Sequence, residues 1–182
     1  MVLALQSEHV DWEAGLVQRA RGGDVRAFER LYRQHSGRIY GLCLRLTRDP
    51  SAAEDCTQET FINAWRGLAN FQTRSAFGTW LHRIAVNVVL ARRRRPEARE
   101  PALPLEDVAP EDAECTLDTP VEEREIETAV GALPQGARDV LVLCGIYGYS
   151  HAEVGHMLGI AEGTCKAQLH RARALLRERL SA

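Results

Sequence analysis

At 182 residues the chain is long enough for one ordinary domain or two small ones. It is 45% hydrophobic and 26% charged, which excludes disorder by composition, and its formal net charge of −2 is close to neutral. No apolar run approaches the roughly 20 residues of a membrane span, and Met1–Trp12 carries Glu8 and Asp11 with no early Lys or Arg, unlike a signal peptide.

In chain order the elements read as helices. Leu16, Val17 and Ala20 lie in a short first helix ended by Gly22-Gly23, and Asp24 caps the next. Phe28, Leu31, Tyr32, His35, Ile39, Leu42, Cys43 and Leu46 then follow steps of three and four, and Asp49-Pro50 breaks that helix. A third helix spans Ser51 to Gly67, with Phe61, Ala64 and Trp65 inward. Asn70 to Ser75 is a polar loop. A fourth helix runs from Ala76 to Arg94, with Phe77, Leu81, Ile84 and Val88 as its apolar stripe. No segment alternates with period two for long enough to be a strand.

The near-neutral total conceals a segregation of charge. Residues 1–95 hold 15 Arg against 9 acids, a balance of +6. Residues 96–127 hold 2 Arg against 12 acids, a balance of −10. Residues 128–182 hold 6 basic residues against 4 acids, a balance of +2. Five prolines (Pro96, Pro101, Pro104, Pro110 and Pro120) fall within the acidic stretch. Proline blocks helix interiors and like charges keep a chain extended. The expected organisation is a helical module over 1–95, a flexible acidic linker over 96–121 and a second helical module over 122–182.

The second module opens with a helix from Val121 to Leu133. Pro134 stands at the first turn of another, which runs to Ile146. Gly148-Tyr149 turns the chain, Ser150 caps a short helix from His151 to Leu158, and Gly159-Ile160 makes a tight turn into a last helix from Ala161 to Leu180. A short helix, a turn with glycine and a longer basic helix form the helix-turn-helix pattern. In the last helix Cys165, Leu169, Ala172 and Leu176 form an apolar face. Lys166, His170, Arg173 and Arg177 repeat the same steps about 100° around the axis. One face packs and its neighbour is basic, as a helix lying in a major groove requires. A solvated surface helix carries the same pattern.

The five cysteines, Cys43, Cys56, Cys115, Cys144 and Cys165, are an odd, widely spaced set with no CxxC pair. This argues against a disulfide framework and a structural zinc site. Cys43, Cys144 and Cys165 read as small buried apolar residues, and Cys115 as the accessible one. His151 and His156 are five apart, off the spacing of helical ligand pairs. No metal and no cofactor is expected, and the default compartment is a reducing cytoplasm.

Three blocks resemble one family, the extracytoplasmic-function group of bacterial RNA polymerase sigma factors. AEDCTQETFINAW (Ala53–Trp65) is similar to its core-polymerase-binding helix. FQTRSAFGTWLHRIAVN (Phe71–Asn87) is similar to its promoter-melting segment. Leu133–Ile160 and Glu162–Leu176 are similar to its helix-turn-helix. The resemblance covers residues 13–180 in the family's order. It implies a two-domain, all-helical transcription initiation factor with no catalytic chemistry of its own. Core RNA polymerase, promoter DNA and an anti-sigma factor are the implied partners, without direct membrane insertion.

The resemblance also implies sites. Asp55, Gln58, Glu59 and Phe61 would bind core polymerase; Asp55 and Glu59 equally suit an early helix turn, and Phe61 equally suits a core. Asn70, Phe71, Gln72, Thr73, Arg74, Ser75, Thr79, Trp80, Arg83 and Asn87 would meet the minus-ten element, where opened strands need stacking surfaces and polar donors. Ordinary packing and solvated contacts are the alternative for these. Arg92 to Arg95 would track the DNA backbone or mark a solvated helix end. Thr164, Lys166, Gln168, His170, Arg171 and Arg173 would meet the minus-thirty-five element. Cys165, Ala167 and Gln168 depart from the family's usual aliphatic, Ser and Arg. The last two changes remove a hydroxyl and a charge from the reading helix. A rival reading is a transcriptional activator whose first module senses a ligand.

Overall fold

The computed structural model describes residues 2–72, 75–94 and 121–180, with the backbone alone for 2–11 and 121–124. The expected linker therefore lies almost wholly outside the described residues, as do Cys115, Thr73 and Arg74. Among the described residues every regular element is a helix. The order is α1 (Val2–Arg21), α2 (Val25–Thr47), α3 (Pro50–Gly67), a 3₁₀ turn (Leu68–Asn70), α4 (Phe77–Arg94), α5 (Val121–Gly131), α6 (Gln135–Val140), a π-helical turn (Leu141–Ile146), α7 (His151–Leu158) and α8 (Glu162–Leu180). By contacts the chain divides into Met1–Val89 and Leu90–Ala182.

In the first unit the breaks are capped as the sequence suggests. Asp24 accepts from the Ala27 amide at 3.1 Å, and Arg19 donates Nε and Nη2 to Asp24 Oδ2 at 2.9 and 2.7 Å. The Ala27 amide, then Arg19, hold the Asp24 carboxyl below its ordinary range. Asp49 caps α3 by accepting from Ala52 N–H at 3.2 Å, with Pro50 in the first turn where its missing N–H costs nothing. Leu31, Ile39 and Leu42 of α2, Leu16 and Val17 of α1, Ala53 and Ala64 of α3, and Leu81, Ala85 and Val86 of α4 are all buried.

Three local expectations change. The first helix is 20 residues long rather than a short segment. On α4 the buried stripe runs through Ala85, and Ile84 is only half-buried. Trp65 is 38% exposed instead of inward, because Phe28 and Phe61 already fill the space beneath it.

In the second unit α8 is the central helix. Its Cys165, Leu169 and Ala172 are buried with Val130, Leu133, Ala137, Val140, Val142, Leu143 and Val154. Pro134 does not begin α6 but stands before it at φ −53°, ψ 140°. The long helix expected to Ile146 becomes π-helical after Val140, and Tyr147 N–H donates to Val142 O at 3.1 Å. Arg138 is buried because Nη1 donates to Gly131 O and Leu133 O, both at 3.2 Å, closing the end of α5. Arg93, grouped with this unit by contacts, donates to both Asp139 carboxylate oxygens at 2.6 and 3.1 Å.

The turn between α7 and α8 is closely built. Ser150 and Glu153 form a reciprocal capping box at the start of α7. Gly159 ends the helix at φ +69°, in the left-handed region. Ile160 N–H returns to Gly155 O at 2.9 Å.

Candidate nucleic-acid and partner surfaces

On α3, Asp55 and Gln58 are exposed and Glu59 is half-buried. Ile62, 49% exposed, and Trp65 continue the row from Asp55 and Gln58 by steps of four and three. The α3 surface is therefore acidic at one end and apolar at the other. Phe61 does not belong to it: the ring is 4% exposed, 4.7 Å from Tyr32 and 6.4 Å from Phe28. The aromatic side chains of α2 bury it, although it lies only three residues from Gln58. Sequence reasoning passed over Ile62, whose signal was an apolar residue on the polar stripe.

The segment from Asn70 divides in the same way. Asn70, Gln72 and Ser75 are exposed. Phe71 is 4% exposed, with its ring 4.8 Å from Trp80 and 6.0 Å from Phe77. It anchors the loop from below, so it is not a free stacking surface. Trp80 is half-buried between Phe71 and Phe77. Thr79, half-buried, and Arg83 and Asn87, both exposed, follow one another by steps of four along α4.

The first turn of α4 packs on a histidine of α2. Phe77 lies 5.3 Å from the ring of His35, whose Nε2 meets Glu13 Oε1 at 3.0 Å. Burial pushes both His35 and His82 below the ordinary imidazole range; Glu13 opposes the shift at His35, while Arg38 adds to it at both.

On α8, Thr164, Lys166, His170, Arg171 and Arg173 are all exposed. Lys166, His170, Arg173 and Arg177 line an open groove of about 640 Å³ together with Leu169, Leu176 and His151 of α7. The row read from the sequence is thus a cationic lining of the groove. Three candidates lie off it: Thr164, Gln168 and Arg171. Arg171 is exposed but does not line the groove. Gln168 is half-buried and its amide group lies over Gly136 of α6, 3.6 Å from where a Cβ would stand. His151 was missed, since its closeness to α8 depends on the turn geometry. Lys166 Nζ pairs with Glu162 Oε1 at 2.7 Å, which raises the lysine and lowers the carboxyl from their ordinary values. Among the described residues no cluster of His, Cys, Asp and Glu can hold a metal ion, and no helix is long and apolar enough to cross a membrane.

Residues 31–100 match Sigma-70 region 2, and residues 123–176 match Sigma-70, region 4. The ECF RNA polymerase sigma factor SigM of Mycobacterium tuberculosis is 37% identical over 169 residues, covering 92% of this chain and 84% of that one. The chain belongs to the extracytoplasmic-function sigma factors of the sigma-70 family. SigW of Bacillus subtilis is 32% identical, covering 90% of this chain and 94% of its own. Among solved structures, the sigma factor RpoE in complex with the anti-sigma factor NepR from Bartonella quintana superposes with a TM-score of 0.63 at 26% identity. It covers 87% of this chain and 99% of that one. CnrH in complex with the cytosolic domain of CnrY superposes with a TM-score of 0.60 at 27% identity, over 93% and 97% of the two chains. This sigma factor directs RNA polymerase to promoters. The rival reading of its first module as a ligand sensor is set aside, because that module is sigma region 2.

Proposed function

We propose that the first unit of this sigma factor docks on core polymerase through Asp55, Gln58 and Glu59, with Ile62 and Trp65 completing the contact, and meets the opened minus-ten element through Asn70–Ser75, Thr79, Arg83 and Asn87. The second unit reads the minus-thirty-five duplex with α8. The observation that carries this division is the groove lining of Lys166, His170, Arg173 and Arg177, a row of donors at one helical spacing beside the apolar Leu169 and Leu176. Thr164 and the amides at the start of α8 hold a phosphate. Arg171, beside the groove, serves the backbone more naturally than a base edge. Phe61 and Phe71 act by packing.

The polymerase supplies the chemistry, so the chain itself catalyses no reaction. Its regulator is an anti-sigma factor, a reading supported by the partner of the similar RpoE. The chain works in the cytoplasm, where polymerase and promoter meet.

Run-off transcription with purified core polymerase tests the scheme. A duplex promoter should give transcript only with the sigma factor present. Alanines at Gln72 and Ser75 should leave closed-complex binding intact and impair opening, measured by permanganate reactivity of promoter thymines. A pre-melted bubble template should rescue that variant, whereas Arg173→Ala should stay defective in binding duplex. The reverse pattern of rescue would mean that the two surfaces have been interchanged.

A further inference from the structure

Cys165 stands where the family's usual string has an aliphatic side chain. In the fold its Sγ lies 3.9 Å from Sγ of Cys144. Cys165 is fully buried on the packing face of α8, and Cys144 is half-buried in the π-helical turn. Both are free thiols. Two helical segments far apart in sequence therefore bring together the two cysteines of the promoter-reading unit that lie within the described residues.

We propose that Cys144 and Cys165 form a modification site, closed to a disulfide by a hydroperoxide, and that the cross-link weakens binding of α8 to duplex DNA. The cross-link stands on the geometry of the thiols. Its effect on DNA rests on the reading of α8 given above.

The half-exposed Cys144 reacts first. Its sulfur attacks one peroxide oxygen and the O–O bond breaks. For hydrogen peroxide this gives Cys144–S–OH, and the departing hydroxide takes the thiol proton to form water. The Cys165 sulfur then attacks the Cys144 sulfur. An S–S bond forms and the S–O bond breaks. The leaving hydroxide takes the Cys165 proton as a second water. One peroxide is reduced to two waters while two thiols are oxidised to one disulfide.

A disulfide needs its sulfurs about 2.05 Å apart. The present gap must close, which draws the first turns of α8 toward the π-helical turn. Thr164 and Lys166 flank Cys165 and move with it. Burial, then Cys165, push the Cys144 thiol up to about 11, against the pull of Arg173. Thiolate is scarce at neutral pH, so the pair responds to sustained oxidant, and its rate rises about tenfold per pH unit below that value. Cys43, pushed up to about 12 chiefly by burial, also has a thiol neighbour in Cys56, but both are fully buried, and that pair supplies an internal contrast.

The test uses the full chain with Cys115→Ser, which removes the cysteine outside the described residues. Hydrogen peroxide is added, and peptides are mapped by mass spectrometry before and after dithiothreitol. The expected product is a Cys144–Cys165 linked peptide that forms faster at higher pH and is reversed by reductant. Neither Cys144→Ser nor Cys165→Val should form it. The oxidised chain should bind a minus-thirty-five duplex about tenfold more weakly, as for one lost groove contact. Binding by Cys165→Val should not respond to peroxide. Sulfinic acid at Cys144 with Cys165 unmodified, or a cross-link to another cysteine, overturns the site. A mapped disulfide with unchanged duplex binding overturns its control of DNA. A reduced chain that never binds the duplex contradicts the reading of α8 instead, and the peptide map still decides on the thiol pair.

Discussion

Two glycines of the helix-turn-helix should respond to alanine with opposite signs. A Cβ on Gly155 would stand 2.8 Å from the carbonyl oxygen of Ile160 and 3.6 Å from the amide nitrogen of Glu162. Both atoms are backbone, one in the turn between α7 and α8 and one at the start of α8, so neither can swing aside as the tip of a side chain would. Relief to ordinary contact near 3.4 Å requires the turn to move by about 0.6 Å. That movement strains the hydrogen bond from Ile160 N–H to Gly155 O. Overpacking of this kind costs about 1–3 kcal/mol. The lost hydrogen bond and the helix-propensity gain of alanine are each about 1 kcal/mol and roughly cancel. Gly155→Ala should therefore destabilise the second unit by about 1–3 kcal/mol. Gly163 lies in the first turn of α8 with open space around its would-be Cβ. Gly163→Ala should stabilise the same unit by about 0.5–1 kcal/mol. Native-state hydrogen exchange of the buried Val154 and Leu169 amides reads this unit without interference from the first. Equal protection in the two variants, or greater protection in Gly155→Ala, would falsify the close approach of the turn to α7.

Other expectations follow from single surfaces. Asp55→Arg with Glu59→Arg, and separately Ile62→Glu with Trp65→Glu, should weaken core polymerase binding without loss of helix content; circular dichroism and a binding titration decide, and unchanged affinity of the folded variants refutes the α3 assignment. Lys166→Ala and Arg173→Ala should each lower the slope of log affinity against log salt by about 0.9 if each neutralises one phosphate, and an unchanged slope places them away from the backbone. His35 and His82 are held below the ordinary value of 6.5 when folded, chiefly by burial. The unfolded chain then binds more protons on acidification, so their contribution to stability is present above about pH 6.5 and is lost as pH falls through that region. Urea unfolding of the first unit should show a lower midpoint at pH 5.5 than at pH 7.5, with the difference reduced in His82→Gln; a midpoint that rises on acidification contradicts the direction.

Much of the architecture was legible because helices announce themselves locally. The steps from Leu31 to Leu46 put one stripe of α2 in the core, and Asp24, Asp49-Pro50 and Gly159 mark boundaries through their own backbone chemistry. The basic row of α8 was legible for the same reason: residues three and four apart share a face whatever surrounds the helix. Family resemblance rested on such local strings too.

Only the tertiary structure decided which members of those strings reach the surface. Phe61 and Trp65 are one turn apart, yet the neighbouring α2 aromatics bury the first and leave the second partly exposed. Phe71 falls in a polar loop, and its burial depends on Phe77 and Trp80 beneath it. Gln168 turns over Gly136, His151 lines the same groove as the basic row, and Cys144 meets Cys165 because α6, the π-helical turn and α7 fold back on α8. Helical periodicity specifies a direction around one axis. Burial, grooves and thiol pairs depend on what another helix places opposite, and that distance is set by packing between segments far apart in the chain.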